Sequence, residues 1–273
     1  MRTIKEQEDF MLLRRVLDDT IMILQTSKYS NLFVFKGGNC IASMLNANNL
    51  PMTSRYTSDI DLHWKEGYRD GWEDLILNIE ELLNKYTRLG VKYILKSRRG
   101  YTKNANGDSI ALIAKIGDKQ IDFKIDMNFS YKQVGIQQYK TITTRGIFTG
   151  YNDCTILADK LYVLKSIKIC RRVKDLYDVY IYTYKGNISM SELLNVINDK
   201  WIDFDLDNSY ILDEQNKVTI HHAFSKYRFR VSVHDFNTVY NRVLAFVEPV
   251  YILIQKNEIL DIHWDVREGR WHY

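Results

Sequence analysis

The chain has 273 residues, enough for one large domain or two smaller ones that bury a core without disulfides or structural metals. Its hydrophobic share of 45% and its charged share of 26% are those of a globular protein and exclude a disordered or fibrous chain. The net charge of +4 is too small to indicate a nucleic-acid partner by itself.

The apolar runs and the cysteines predict the compartment. No run approaches the ~20 residues of a membrane-spanning helix, and the N-terminal stretch lacks the apolar segment of a signal peptide. Cys40, Cys154 and Cys170 have no C-x-x-C spacing, which fits free thiols in a reducing compartment and not a disulfide framework or a zinc site. We therefore expect a cytoplasmic protein without a membrane partner.

The first elements in the chain form a helix, a strand and a second helix. Apolar residues at steps of three and four predict a helix over residues 4–24. A short strand at 32–36 ends at Gly37 and Gly38, and a small-residue helix (CIASML) follows at once. Such a glycine turn between a strand and a helix lets the backbone pass close to a ligand.

Alternating polarity predicts further strands around one more helix. The predicted strands are 55–64, 91–97, 109–116 and 120–129, and the helix is 72–88. The segment 103–108, rich in Asn and Gly, is predicted to be a hairpin turn.

Beyond about residue 150 the period becomes helical. Helices are predicted over 155–169, 173–184 and 234–255, with Pro249 as a candidate kink in the last. The sequence thus predicts an α+β fold with one domain at 1–150 and a mostly helical domain at 151–273.

The segment SDIDL at 58–62 is the most informative one. Alternate side chains of a strand share a face, so Asp59 and Asp61 project together while Ile60 and Leu62 point into the core. Two carboxylates this close repel each other unless a cation lies between them. Mg²⁺ takes such carboxylate oxygens together with substrate phosphates, so we expect a metal-binding pair.

The strand at 120–129 offers a third acid. Asp122, Lys124 and Asp126 alternate with apolar residues and share its polar face. If this strand lies beside the first acidic strand, Asp126 or Asp122 completes a metal triad, and Lys124 offsets the charge or contacts a phosphate. A D-x-D also arises by chance, and alternating charge is usually solvated. The combination of the D-x-D with a glycine turn that suits a triphosphate favours two-metal phosphoryl or nucleotidyl transfer.

Four motifs occur in order over about residues 30 to 185: FKGGN, RYTSDIDLHW, FKIDMNF, and LADKL followed by RRVKDLYDVY. Together they resemble the nucleotidyltransferase AbiEii family of abortive-infection toxins, in the DNA polymerase β-like superfamily. The resemblance implies a mixed sheet flanked by helices, followed by a mostly helical C-terminal domain that contributes nucleotide-binding residues.

The resemblance implies a catalytic, metal-binding role for three acids. Asp59 and Asp61 match the metal-binding pair, with Arg55 and Thr57 as the expected R-x-[S/T] ahead of them. Asp126 matches the third acid better than its neighbour on the strand because it follows K-x.

The remaining matches concern the nucleotide. Lys36, Gly37 and Gly38 match the first, nucleotide-binding motif; Lys160 matches a helical lysine at the triphosphate; and Asp175 matches the catalytic aspartate of the fourth motif.

Two of these positions carry alternatives. Gly38 stands where the superfamily often has Ser, so a γ-phosphate contact has to come from the backbone or from Asn39. Lys160 borders an apolar helix face, where a lysine can simply extend its amine to solvent. Asp175 and Asp178 are expected on a polar face of their helix, opposite its apolar residues.

Other polar groups are interpreted as structural. His63 is predicted to be a hydrogen-bonded histidine at the rim of the acidic site, and His221 and His222 are predicted to lie at the surface. The alternation at 226–231 predicts a strand with a basic face, which either grips an RNA backbone or protects a sheet edge. Trp264 is expected to pack, with the last tryptophan, on the helical half.

The implied function is a Mg²⁺-dependent nucleotidyltransferase toxin. It would move a nucleotide from an NTP to an acceptor hydroxyl, which in some relatives is the 3′ end of tRNA, and it would have an antitoxin encoded beside it. The alternatives are transfer to a protein or small-molecule hydroxyl, and a non-catalytic module that binds NTP or RNA.

Overall fold

The computed structural model describes residues 4–49, 57–100, 107–129, 133–185, 188–200, 209–227, 229 and 234–272. The chain divides into two compact units, residues 1–151 and 152–273.

The first unit is built on a mixed sheet of seven strands. They are β1 (Phe33–Lys36), β2 (Asp59–Trp64), β3 (Lys92–Gly100), β4 (Gly107–Ile116), β5 (Lys119–Asn128), β6 (Ile136–Lys140) and β7 (Ile147–Tyr151). Their order across the sheet is β3-β4-β5-β2-β1-β7-β6. The central strand β2 runs parallel to β5 and antiparallel to β1, and β1 runs parallel to β7. This sheet with its helices confirms the predicted α+β class.

Helices cover this sheet with their apolar stripes. They are α1 (Ile4–Thr26), α2 (Gly38–Ala47) and α3 (Arg69–Tyr86). Residues four apart on one helix face, such as Leu75, Ile79 and Leu83 of α3, are fully buried.

The two faces of the sheet differ in burial, and this difference positions the site. Ile60 and Leu62 of β2 and Ile125 of β5 have no exposed surface. The residues between them, including Asp59 and Asp61, are only half-buried. The sequence alternation therefore places the acids on the more open face, as expected from a two-residue period.

Several boundaries differ from the sequence prediction. The strand predicted from residue 55 begins at Asp59; residues 55 and 56 lie outside the described part of the chain. Most of the predicted turn at 103–108 also lies outside it, but β3 and β4 pair antiparallel on either side. The sequence did not predict β6 and β7, because each has only five residues and little alternation.

The second unit is mostly helical. Its elements are α4 (Asp153–Leu164), a 3₁₀ turn (Ile167–Cys170), α5 (Val173–Tyr182), α6 (Met190–Lys200), α7 (Glu214–Lys226), α8 (Phe236–Lys256), β8 (His263–Asp265) and β9 (Arg270–His272). The predicted helix at 155–169 thus ends early, and α8 continues through Pro249. The sequence did not predict α6 or α7.

The basic strand predicted at 226–231 is wrong where the structure describes it. Lys226 lies in the last turn of α7, because this helix continues through the predicted start of the strand. Arg228, Arg230 and Val231 lie outside the described residues.

Two aromatic side chains close the end of the second unit. The rings of Trp264 and Trp271 lie 5.0 and 4.9 Å from the ring of Phe246 on α8. The indole nitrogen of Trp271 also donates to the carbonyl of Phe246. The predicted packing of this tail on the helices is confirmed.

None of the helices in the described part of the chain is long and apolar enough to cross a membrane.

Candidate active site

The register between β2 and β5 brings the acids together. Asp61 lies opposite Asp126, and Asp59 lies opposite Lys124. Residues directly opposite on neighbouring strands share a face and contact each other, so all three carboxylates point to the more open side of the sheet. Asp122 lies elsewhere: its carboxylate is exposed and pairs with the ammonium of Lys96 at 2.9 Å.

A lysine ammonium lies between two of these carboxylates. Lys124 Nζ is 2.5 Å from Asp126 Oδ2 and 3.7 Å from Asp59 Oδ2. The other oxygen of Asp126 accepts a hydrogen bond from Ser109 Oγ at 2.6 Å. Burial by itself would lower the pKa of Lys124, but the hydrogen bond to Asp126 and the nearby carboxylates outweigh it and raise this pKa.

The raised pKa of Asp59 reflects its burial as well as the other negative charges close to it. Burial raises its pKa, Lys124 opposes that rise, and the charges of Asp61 and Asp126 add to it. Within the described ranges no group of three or more His, Cys, Asp or Glu side chains is placed so that it could hold a metal ion. Carboxylate oxygens are nevertheless the ligands that a hard divalent cation prefers, and an ammonium already lies among them. The chemistry of the donors therefore suits such a cation, although the side chains as they stand do not form a site for it.

The glycine turn closes against this acidic group. Gly37 has φ +66°, a backbone angle that residues with a side chain rarely adopt. A Cβ built on Gly37 would lie 2.3 Å from Asp61 Oδ2. The preceding Lys36 lies opposite Asp61 in the antiparallel register of β1 and β2. Helix α2 begins at Gly38, so its first backbone N–H groups and the positive end of its dipole lie beside the acids.

We expect Gly37→Ala to reduce activity far more than stability. The added Cβ would push the Asp61 carboxylate aside, and a displacement near 1 Å costs roughly 10²-fold in rate. Gly90→Ala is the matched control, because Gly90 has φ +64° with no atom within 4 Å of its added Cβ. Thermal unfolding of both variants should show the same small loss from backbone strain, and equal transfer activity in the two would contradict the role of the contact.

A network of buried polar side chains supports β2, the strand that carries Asp59 and Asp61. Asn39 Nδ2 donates to the carbonyl oxygen of Asp59 at 2.8 Å, and Asn39 Oδ1 accepts from Arg14 Nη1 at 2.9 Å. Arg14 pairs with Asp18, which accepts from the backbone and hydroxyl of Thr143 at 2.7 and 2.8 Å. Asn39 has no exposed surface and both ends of its amide are used, so the alternative that Asn39 contacts a γ-phosphate is disfavoured.

The sequence analysis did not predict this network, although the sequence of α1 contains a signal of it. Arg14 and Asp18 stand four residues apart within the apolar stripe of α1, where a charged pair is uncommon unless it is buried and paired.

The prediction that His63 lies at the rim is wrong. The side chain is 1% exposed, and its Nδ1 is hydrogen-bonded to the hydroxyl of Tyr151 on β7. Burial alternates over the first half of β2 but is continuous from Leu62 to Trp64, because this central strand is covered on both faces there. His221 and His222 are exposed, as predicted.

The second unit contains a buried charge cluster. Lys160 Nζ on α4 is 2.5 Å from Asp175 Oδ1 and 3.1 Å from Asp178 Oδ2 on α5. Arg172 Nε is 2.6 Å from Asp175 Oδ2. Burial would raise the pKa of Asp175, but the charges of Lys160 and Arg172 outweigh it and lower this pKa.

This arrangement differs from the polar helix face expected for α5. Asp175 and Asp178 have no exposed surface, and Lys160 is 6% exposed. Helix α5 is buried nearly all round, and its two acids are compensated by Lys160 of α4 together with Arg172. A contact of Lys160 with a triphosphate stays a prediction.

Comparison with known proteins shows what the whole chain resembles. A family model described as the nucleotidyl transferase AbiEii toxin of a type IV toxin–antitoxin system matches residues 22–234. None of the curated proteins compared with the chain matches it.

Solved structures share the fold. The chain is similar to a proposed nucleotidyltransferase from H. pylori, with a TM-score of 0.56 and 11% identity over 93% of this chain and 99% of that one. It is also similar to JHP933 from Helicobacter pylori, with a TM-score of 0.56 and 11% identity over 92% and 95% of the two chains. These similarities confirm the predicted fold class.

Proposed function

Since the chain belongs to the AbiEii family of nucleotidyl transferase toxins, we propose that it transfers a nucleotide from an NTP to the 3′ hydroxyl of tRNA with Mg²⁺ as its metal. Membership makes it a nucleotidyltransferase toxin of a type IV system, with an NTP substrate and a cognate antitoxin. The metal, the acceptor and the residue roles are the proposal. The convergence of Asp59, Asp61 and Asp126 on the open sheet face carries it.

The three acids would hold the metal. When bound there, a divalent cation would supply positive charge that stabilises the negative charge developing during transfer. Asp126, oriented by Ser109, accepts the proton of the acceptor hydroxyl. The hydroxyl oxygen then bonds to the α-phosphorus while the bond to pyrophosphate breaks.

The turn after β1 would hold the triphosphate. The backbone of Gly37 and Gly38 lacks side chains that block a close approach, and α2 starts there with its free N–H groups. Lys36 adds a positive charge opposite Asp61. For Lys160 and Asp175 of the second unit, a nucleotide-binding role is proposed on the family resemblance alone.

A basic segment in the second unit favours RNA as the acceptor. Residues 165–174 contain five Lys or Arg and no acidic residue. Lys165 and Lys168 lie 4.9 and 5.6 Å from the ring centre of Tyr162, and Arg171 is exposed. Cations beside an aromatic ring suit an RNA backbone and an unstacked base, whereas a small-molecule acceptor needs no such surface.

Labelling identifies the acceptor directly. The protein is incubated with total RNA and cell lysate and with each of the four NTPs, labelled at the α-phosphate, with and without Mg²⁺. We expect label in tRNA-sized RNA, loss of label on chelation, and one preferred NTP. Label on a protein band or a small molecule would refute the RNA acceptor and support transfer to a protein or small-molecule hydroxyl. Absence of label in every fraction, with NTP still bound, would support the non-catalytic module.

A further inference from the structure

The Lys124 ammonium occupies the place among the acids at which a metal is proposed. It contacts Asp126 at 2.5 Å and approaches Asp59 to 3.7 Å. Its position follows from the β-sheet, because Lys124 and Asp126 are two residues apart on β5 and Asp59 is the register partner of Lys124.

Lys124 and a divalent cation cannot use these oxygens together. Mg²⁺ binds carboxylate oxygens at about 2.1 Å with near-ideal octahedral geometry. The Asp126 oxygen that would bind it now accepts a short hydrogen bond from Lys124. In addition, an ammonium and a divalent cation a few ångströms apart repel each other strongly where water is partly excluded.

We propose that Lys124 is a built-in counter-ion that competes with the divalent cation for Asp59 and Asp126. The ammonium has to leave before the metal binds. This inference rests on the proposed function.

The charges explain why such a competitor would suit a toxin. The ammonium offsets one of the three negative charges, so the site attracts a free divalent ion less strongly than three carboxylates alone would. A metal that arrives with an NTP brings phosphates, which share in its coordination and give the displaced ammonium a new anionic partner. The acidic site would therefore fill together with substrate and bind metal only weakly without it.

The surroundings allow this exchange. The Lys124 side chain is 44% exposed, so its stem can swing toward solvent. Ser109 Oγ holds the other oxygen of Asp126 at 2.6 Å, which keeps the carboxylate in place when the lysine leaves.

Lys124→Met tests the competition without any catalytic readout. Without nucleotide, calorimetric titration with Mg²⁺ or Mn²⁺ should show affinity raised about tenfold over the natural protein, since one nearby charge is removed. Without metal, the variant should melt at a lower temperature, because the three carboxylates lose their counter-ion. Lys96→Met is the matched control: it removes a lysine 2.9 Å from the exposed Asp122, and metal affinity should not change.

Equal or weaker metal binding by Lys124→Met would overturn the proposal and make Lys124 a support of the site. A measurement on the natural protein covers the case in which the variant does not fold. The NMR signal of the Lys124 ε-methylene should move when Mg²⁺ is added, while that of Lys96 stays; an unmoved Lys124 signal at saturating metal would also overturn it. If neither protein binds metal even with NTP, the proposed metal site fails as well, and the two failures are distinct.

Discussion

Replacing Asp61 by Asn should lower nucleotidyl transfer by about 10³-fold, the scale of removing one central electrostatic group from an active site. Asp61 lies between Lys36 on β1 and Asp126 on β5, and its Oδ2 would lie 2.3 Å from a Cβ built on Gly37. The amide keeps the shape of the side chain but removes a charge that a metal needs. Transfer of label from NTP to RNA measures the loss, and growth after expression measures its effect on toxicity.

The same variant should keep its fold. The negative charge of Asp61 repels that of Asp59 and raises the pKa of Asp59. Because Asp61→Asn removes this repulsion, the melting temperature should stay unchanged or rise slightly. Asp122→Asn is the matched control, because that carboxylate is exposed and pairs with Lys96. It should retain full transfer. A soluble Asp61→Asn protein that still labels RNA and arrests growth would refute the catalytic role of the acids.

Local rules predicted much of the first unit. The two-residue period of a strand separated Asp59 and Asp61 from their buried neighbours. The register between β4 and β5 could also have been derived from the sequence. Ile116 pairs with Lys119 across the turn, and counting outward from the turn along both strands places Ser109 opposite Asp126. A hairpin joined by two residues fixes its register, so this contact could have been found from sequence.

Non-local contacts were beyond such counting. The parallel pairing of β2 and β5 joins strands some sixty residues apart along the chain, and only this pairing reveals that Lys124 lies beside Asp59 as well as Asp126. The same holds for Asn39, whose amide is consumed by Arg14 of another helix. Composition and periodicity describe one element at a time, so they cannot assign partners between elements.

The burial of α5 shows the same limit in the second unit. Two acids three residues apart indicate a solvated face when a helix is considered alone. The lysine of α4 changes this conclusion because a buried charge is tolerated once it is paired and hydrogen-bonded. The order of the motifs singled out Lys160 and Asp175 separately, but nothing in the sequence predicted that the two side chains pair.

Lys160→Met should lower the free energy of unfolding by about 3–5 kcal/mol, the cost of removing one partner from a buried ion pair. Asp175 and Asp178 have no exposed surface and would lose the ammonium that lies between them. Denaturant unfolding measures the loss. Lys200→Met is the matched control: its ammonium is 2.6 Å from Asp159, whose side chain is 32% exposed and can be solvated, so the loss should be smaller.

The stability that Lys160→Met loses relative to the natural protein should become smaller as the pH falls. In the natural protein the lowered pKa of Asp175 contributes stability above the unfolded carboxyl pKa of about 3.9, and this is lost as the pH falls through the folded pKa. In the variant, burial without the ammonium raises the pKa, so protonation stabilises the folded state. The stability gap between the two proteins should therefore be widest near pH 7 and narrow toward pH 4. A variant whose deficit is independent of pH would contradict this account.

A triple variant separates stability from function. Lys160→Met combined with Asp175→Asn and Asp178→Asn leaves no unpaired carboxylate buried, so part of the lost stability should return. Arg172 loses its partner, but its side chain is 50% exposed and remains solvated. If the triple variant regains stability and still fails to transfer nucleotides, the cluster serves the reaction as well as the fold. If transfer returns with stability, Lys160 and Asp175 are structural, and the nucleotide must be held by other groups.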